Sequence, residues 1–167
     1  ENINKTWADV QAQYQRRADL IPNLVAVFQG YAEHEKSTFE AVTEARTKAN
    51  SITLTVEDLS EENMKKLQAA QAELSGELNR LMAVAENYPE LKANEQFMNL
   101  QVQLECTENR ITVARKEFNE AVRDYNLTVR TFPGNLISGL FGFQQRSAFA
   151  AEEGTEKAVK VEFPSNK

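Results

Sequence analysis

Hydrophobic positions recur every seven residues through most of the chain. Phe97, Leu104, Ile111, Phe118, Tyr125 and Phe132 form an unbroken row, and Leu100, Ala114, Ala121 and Thr128 supply most of a companion row three positions later. Two apolar rows at that spacing are the seam of a helix made to lie along other helices. Neither Pro nor Gly falls between Phe97 and Phe132. The pattern therefore predicts one helix roughly 50 Å long, at about 1.5 Å per residue. A second seam opens the chain: Trp7, Tyr14, Ile21 and Phe28 make one row and Val10, Leu24 and Tyr31 the other, with Arg17 where an apolar residue is expected. Pro22 lacks a backbone donor and crowds the preceding turn, which predicts a kink or short break between Leu20 and Asn23.

The apolar pattern thins from Glu33 to Ser37 and resumes with Phe39, Val42, Ala45 and Ala49, so the first arm is expected to run to about Asn50. The β-branched and polar stretch from Asn50 to Val56 reads as a turn. Within it Thr55 and Asp58 resemble a capping box, and Ser60 with Glu61 and Glu62 offers an alternative helix start. A third row follows in Leu67, Leu74, Leu81 and Tyr88, joined by Met64, Leu78 and Ala85, until Asn87-Tyr88-Pro89 interrupts it. Gly76, isolated inside that pattern, suggests a close helix crossing. Pro89 with Glu90 suits the first turn of the helix that carries the main seam.

After Phe132 the character changes. Pro133 and Gly134 end the helix, and Gly134, Gly139 and Gly142 punctuate a short apolar stretch holding Leu136, Ile137, Leu140, Phe141 and Phe143. That stretch either caps one end of the bundle or exposes Leu136, Ile137, Phe141 and Phe143 as a surface for a partner or a membrane. Residues 147–167 are expected to be irregular and partly mobile, with Phe149 and Phe163 as isolated anchors. The expected fold is thus all-α: an antiparallel bundle of three to four long helices, the first kinked or broken near Pro22. Residues 1–146 form the bundle with its Gly- and Phe-rich cap, and 147–167 the irregular tail.

Composition narrows the class of function. With 167 residues and 41% hydrophobic content the chain can build one domain with a real core. A formal charge of -6 argues against non-specific binding to nucleic acid or anionic lipid, which demands a positive surface. Cys106 is the only cysteine, so neither an intrachain disulfide nor a cysteine-built zinc site can form. No apolar run is long enough to span a bilayer. The first residue is Glu1 rather than Met, from which removal of an N-terminal signal peptide or membrane anchor is expected.

Candidate chemistry is sparse. The single histidine, His34, has Tyr31 three positions before it, so the Glu-x-x-His pairs of a di-iron bundle are missing. No metal site or cofactor is therefore assigned. Gly134 and Gly139 have the separation of a phosphate-loop pair, but Leu140 and Phe141 stand where Lys and Ser or Thr are required. No nucleophile motif is present, and no catalytic residue is assigned. Lys116, Arg123 and Arg130, with Arg110 and Arg115 nearby, are interleaved with Glu117, Glu120 and Asp124 as on a solvated helix face. Arg17 stands out, because an unpaired buried guanidinium is costly. It is expected to pair with Glu105 or Glu108 of the long helix, in a polar network with Asn109 and Arg115 that fixes how the first arm docks.

Gln13-Tyr14-Gln15-Arg16-Arg17-Ala18-Asp19-Leu20-Ile21-Pro22-Asn23-Leu24-Val25 resembles the signature of the LemA family. Three further stretches are similar to it in order: Tyr31-Ala32-Glu33-His34-Glu35; Glu86-Asn87-Tyr88-Pro89-Glu90-Leu91-Lys92-Ala93-Asn94; and Thr107-Glu108-Asn109-Arg110-Ile111, continuing through Ala114-Arg115, Asn119 and Tyr125-Asn126. The ending, from Phe132-Pro133 through Gly142-Phe143 to Ala151-Glu152-Glu153-Gly154, resembles the family too. The resemblance implies a helical bundle carried on one short N-terminal transmembrane helix that lies outside this chain. It thus implies a bacterial membrane protein with a single-pass anchor, assigns no catalytic residues, and implies a membrane protease as a conceivable partner.

These readings lead to a membrane-tethered scaffold or adaptor, not an enzyme, that presents a helical surface to a protein partner. Two alternatives stand beside it. One is a small-ligand binder or enzyme with a polar pocket near Pro22 or Pro89, using Arg17, Tyr31, His34 and Glu108. The other is a bundle that self-associates and organises membrane around it.

Overall fold

A computed structural model describes residues 2–130 and 148–149. Five helices follow one another: α1 (Asn2–Gln29), α2 (Lys36–Asn50), α3 (Glu61–Ala85), α4 (Pro89–Lys92) and α5 (Glu95–Arg130). No strand occurs among the described residues, and the fold is an all-α bundle. Long-range contacts set the directions. Phe28 meets Phe39 with ring centroids 5.7 Å apart, and the Arg46 Nε donates to the Ala18 carbonyl at 2.7 Å, so α2 runs back along α1. Arg17 reaches Gln71 and Ser75 at mid-height, while Trp7 and Met64 share one apolar cluster and Phe28 and Leu81 the other, so α3 is parallel to α1. Phe97 packs on Phe28 at 6.0 Å and Phe118 on Trp7 at 5.2 Å, so α5 is antiparallel to α1.

The seven-residue rows are the buried rows. Phe97, Leu104, Ile111 and Phe118 of α5 are buried, as are Leu67, Leu74 and Leu81 of α3 and Trp7, Tyr14, Ile21 and Phe28 of α1. Thr128 is the exception in the companion row of α5: it is exposed, and its hydroxyl donates to the Asp124 carbonyl one turn back at 3.0 Å.

The first arm departs from its expected course. α1 passes through Pro22 without a break and ends at Gln29. Pro22 cannot donate to the Ala18 carbonyl, and the guanidinium of Arg46, on the neighbouring helix, supplies the missing donor. The interruption comes instead at 30–35, where the chain reverses, so residues 2–50 make a hairpin of two helices rather than one arm. Gly76 marks no close crossing: a Cβ built there would meet nothing within 4 Å.

Both helix-start signals before α3 are used. Thr55 and Asp58 make a capping box around a short 3-10 turn, Val56–Asp58. Ser60 then caps α3, its hydroxyl accepting from the Asn63 amide at 3.1 Å. Leading into these signals, Ile52, Leu54 and Val56 alternate inwards and extend the apolar core beyond the end of α2. The Leu54 carbonyl holds this segment against α1 by accepting from Trp7 Nε1 and Gln11 Nε2, both at 2.9 Å. Pro89 opens its own four-residue helix, not α5. The long helix begins one turn later, where Asn94 Oδ1 accepts from the Phe97 amide at 2.9 Å.

Leu136, Ile137, Phe141 and Phe143 lie outside the described residues, as does most of 147–167. Phe149 is described, and it is buried between Trp7 and Phe118 with ring centroids 6.3 and 5.7 Å away.

Candidate functional site

The apolar interior is two clusters. One, towards the 30–35 loop, holds Ile21, Phe28, Phe39, Leu74, Leu81 and Phe97. The other, towards the start of α1, holds Trp7, Tyr14, Met64, Leu67, Ile111 and Phe118. Between them lies a polar layer with one buried polar residue from each long helix: Arg17, Gln71 and Thr107. Each sits where an apolar residue would continue its row. Arg17 interrupts the row of Val10 and Leu24, Gln71 that of Met64 and Leu78, and Thr107 that of Leu100 and Ala114.

Arg17 is 1% exposed and nearly saturated. Its Nη1 donates to Ser75 Oγ at 2.6 Å and Glu108 Oε2 at 2.8 Å, and its Nη2 to Gln71 Oε1 at 2.5 Å and the Gln71 carbonyl at 3.3 Å. The guanidinium carbon also stands 5.7 Å from the Tyr14 ring centroid. Thr107 turns its hydroxyl onto its own helix, donating to the Gln103 carbonyl at 2.8 Å.

Outward from this layer, α3 and α5 stand apart over α1 and leave a polar cleft of about 440 Å³. Tyr14 and Arg17 form its floor; Gln68, Ser75, Gly76 and Asn79 line one wall; Glu108, Thr112 and Arg115 line the other. Arg115 also stacks over the Phe149 ring, its guanidinium carbon 4.6 Å from the centroid. Of the two carboxylates considered for Arg17, Glu108 makes the ion pair, whereas Glu105 is exposed and outside the layer. Asn109 also faces away, into the groove between α5 and α1 lined by Asp9, Gln13 and Arg110.

A second polar constellation locks the far end of the bundle. The Tyr88 hydroxyl donates to Glu35 Oε2 at 3.0 Å, and the Asn94 amide donates to the Tyr31 hydroxyl at 3.0 Å. These bonds tie the 30–35 loop to the 86–94 segment. The Glu35 carboxylate, holding the phenolic proton, raises the pKa of Tyr88 above its ordinary value. Tyr31 is 39% exposed, and Met98 and Val102 on the adjoining turns of α5 are 48% and 57% exposed. His34 lies on this loop, exposed, and Tyr31 with it, so these two do not converge with Arg17 and Glu108 on one pocket. Among the described residues no group of three or more His, Cys, Asp or Glu side chains is placed to hold a metal ion. No helix of the described residues is long and apolar enough to cross a membrane.

The pattern of the LemA family matches residues 6–163, nearly the whole chain. This chain belongs to the LemA family. Its relatives include the magnetosome protein MamQ 2 of Paramagnetospirillum magneticum, 27% identical over 166 residues that cover 89% of this chain and 61% of that protein. MamQ of Magnetospirillum gryphiswaldense is 26% identical over the same coverage, and protein LemA of Metamycoplasma hominis is 23% identical over 86% of this chain and 62% of its own length. The chain thus spans about three-fifths of the curated relatives it matches. Within this LemA-family bundle, four of the stretches on which the resemblance rests meet in space, in two pairs. The run from Gln13 to Val25 and the run from Thr107 to Arg115 form the polar layer, and the 31–35 and 86–94 runs form the locked end.

Sequence reasoning singled out Arg17 but missed its partners Gln71 and Ser75 and the donor role of Arg46. Gln71 and Thr107 carried the same signal as Arg17, a polar residue in an apolar row. Ser75 carries no such mark, because it lies off the seam; Arg46, seven residues after Phe39, is masked by the buried Ala45 beside it.

Proposed function

We propose that this LemA-family domain is a membrane-tethered scaffold that presents the locked end of its bundle to a protein partner. The observation that carries the reading is that end. Two loops are pinned by side-chain hydrogen bonds, Tyr88 to Glu35 and Asn94 to Tyr31, beside exposed Tyr31, Met98 and Val102. A rigid, half-polar surface with an aromatic and two apolar side chains loses little entropy on docking and has the composition of an interface centre. α1 has 28 residues, so the locked end lies about 40 Å from the start of α1. MamQ is named for an assembly, the magnetosome, and not for a reaction, which also favours a structural role.

The test is site-specific photo-crosslinking of the anchored protein in its own membrane. A crosslinker at Met98 or Val102 is expected to give a discrete heterologous adduct, and one at Glu44 on the outer face of α2 none. Adducts of the same kind from all three positions, or from none, would refute the reading. An adduct at twice the chain's own mass would replace the heterologous partner by a second copy.

A further inference from the structure

We infer that the partner of the locked end docks through a basic amphipathic helix laid along the outer face of α5, with its cations at Glu95 and Glu105 and its apolar residues on Met98 and Val102. This inference rests on the reading of that end as a docking surface and names the chemistry of what docks there. Glu95, Met98, Val102 and Glu105 follow one another at intervals of three, four and three, which sets them in one row on a helix. All four are exposed, and their row lies opposite the buried one of Phe97, Leu100, Leu104 and Thr107. The result is an apolar pair bracketed by two carboxylates that stand about 15 Å apart along the helix axis.

The charge around this row is one-sided. Residues 30–36 and 86–105 carry six carboxylates and two lysines, and both lysines are already engaged. Lys92 bonds Glu86 at 2.7 Å, and Lys36 stands 3.9 Å from Glu40. Glu35 accepts from Tyr88. Glu33, Glu90, Glu95 and Glu105 are exposed, and their side chains make no ion pair or hydrogen bond among the described residues. Carboxylates left open around an apolar centre draw a basic surface in and turn an acidic one away. The half-exposed ring of Tyr31, beside Met98, offers its face to a further cation.

The row also fixes the shape of its occupant. A helix with Lys or Arg ten residues apart and apolar residues three and seven positions after the first presents the matching row at the same rise per residue. Because the spacing reads the same from both ends, it fits in either direction. An extended chain would cover about 15 Å in roughly four or five residues and turn alternate side chains away, leaving one apolar contact between the cations where the row offers two. A second α5 does not match. Its cations are Arg110, Arg115, Lys116, Arg123 and Arg130, and no two of them are ten residues apart.

The experiment titrates the 15N-labelled chain with an alanine-based helical peptide that carries the face Lys-x-x-Leu-x-x-x-Leu-x-x-Lys, followed by chemical shifts. The control peptide has the same composition, with both lysines moved to the opposite face. Saturable shifts centred on Tyr31, Glu95, Met98, Val102 and Glu105 are expected with the first peptide. The control is expected to bind about fivefold more weakly, since each exposed ion pair contributes little and two are lost. The double variant Glu95→Gln/Glu105→Gln should keep its thermal midpoint and bind the first peptide only as the native chain binds the control. Absence of saturable shifts, equal binding of the two peptides, or full binding by the folded double variant overturns the inference. Shifts of this face that grow with the chain's own concentration, without peptide, also overturn it and put a second copy there. The same double variant in the anchored protein separates the inference from the reading on which it rests. Loss of the crosslinked adduct at Val102 supports both. An undiminished adduct overturns the basic helix and leaves the docking surface standing, whereas no adduct even with both glutamates in place overturns both.

Discussion

Arg17 shows how a bundle core accommodates a guanidinium. Its two terminal nitrogens meet three side chains and a carbonyl, while its buried Nε has no acceptor among the described residues. A group so placed constrains more than it stabilises, because desolvation consumes most of the pairing energy. Removing one partner should therefore be worse than removing both. Glu108→Gln, which leaves the charge buried, is expected to lower stability by about 1 to 3 kcal/mol, and adding Arg17→Met is expected to recover part of that loss. Urea unfolding of the single and double variants measures it; an additive double variant would show that the two side chains are not coupled. Tyr88 gives a pH signature at the same scale. Its pKa is raised from the ordinary 10.0, first by the hydrogen bond to the Glu35 carboxylate. A folded value above the unfolded one means that this contribution is complete below about pH 10 and fades as pH rises through the folded pKa. In an ultraviolet titration the Tyr88 phenol should ionise later than an ordinary tyrosine, and Glu35→Gln should lower its midpoint.

At the scale of the element, α1 stays continuous at Pro22 because of α2. The Ala18 carbonyl, on a residue only 1% exposed, has no N–H at position 22 to bond and takes the Nε of Arg46 instead. Arg46→Met should leave that carbonyl unsatisfied and cost about 1 to 3 kcal/mol. In a Pro22→Ala background the helix supplies its own donor, so the same substitution should cost distinctly less. Thermal or urea unfolding of the four chains gives the coupling, and a cost independent of residue 22 would remove this explanation for the unbroken helix. The early end of the arm has a similar origin. Residues 30–35 reverse the chain because Phe28 and Phe39 pack on one another, and α2 then covers the face of α1 that a longer helix would leave bare.

At the scale of the molecule, the polar layer divides the interior into two clusters that close separately. The cluster near the start of α1 is completed by Phe149, which reaches it from well beyond the end of α5. Its amide donates to Asn119 Oδ1 at 2.9 Å, and its ring meets Trp7, Phe118 and the Arg115 guanidinium. Phe149→Ala should cost about 3 kcal/mol, in the range for deleting a buried aromatic ring. Since Trp7 is the single tryptophan and is 3% exposed, its emission should move to the red in the same variant. Unchanged emission would mean that Phe149 does not close the cluster in solution.

The seven-residue rows alone determined that the chain is a helical bundle and which faces it buries. Amphipathic period and the absence of internal breakers are local properties that each helix carries with it. They also determined that Arg17 needed a partner, since a charge in an apolar row has only that resolution. The tertiary structure decided the rest. It selected Glu108 over Glu105, because Glu108 is level with Arg17 and Ser75 across the bundle while Glu105 turns to solvent. It kept α1 whole across Pro22 by means of a donor 28 residues away. It also turned Gly76 from an expected crossing point into the open wall of a cleft, because α3 packs mainly on α2 and α5 mainly on α1, which leaves the two apart.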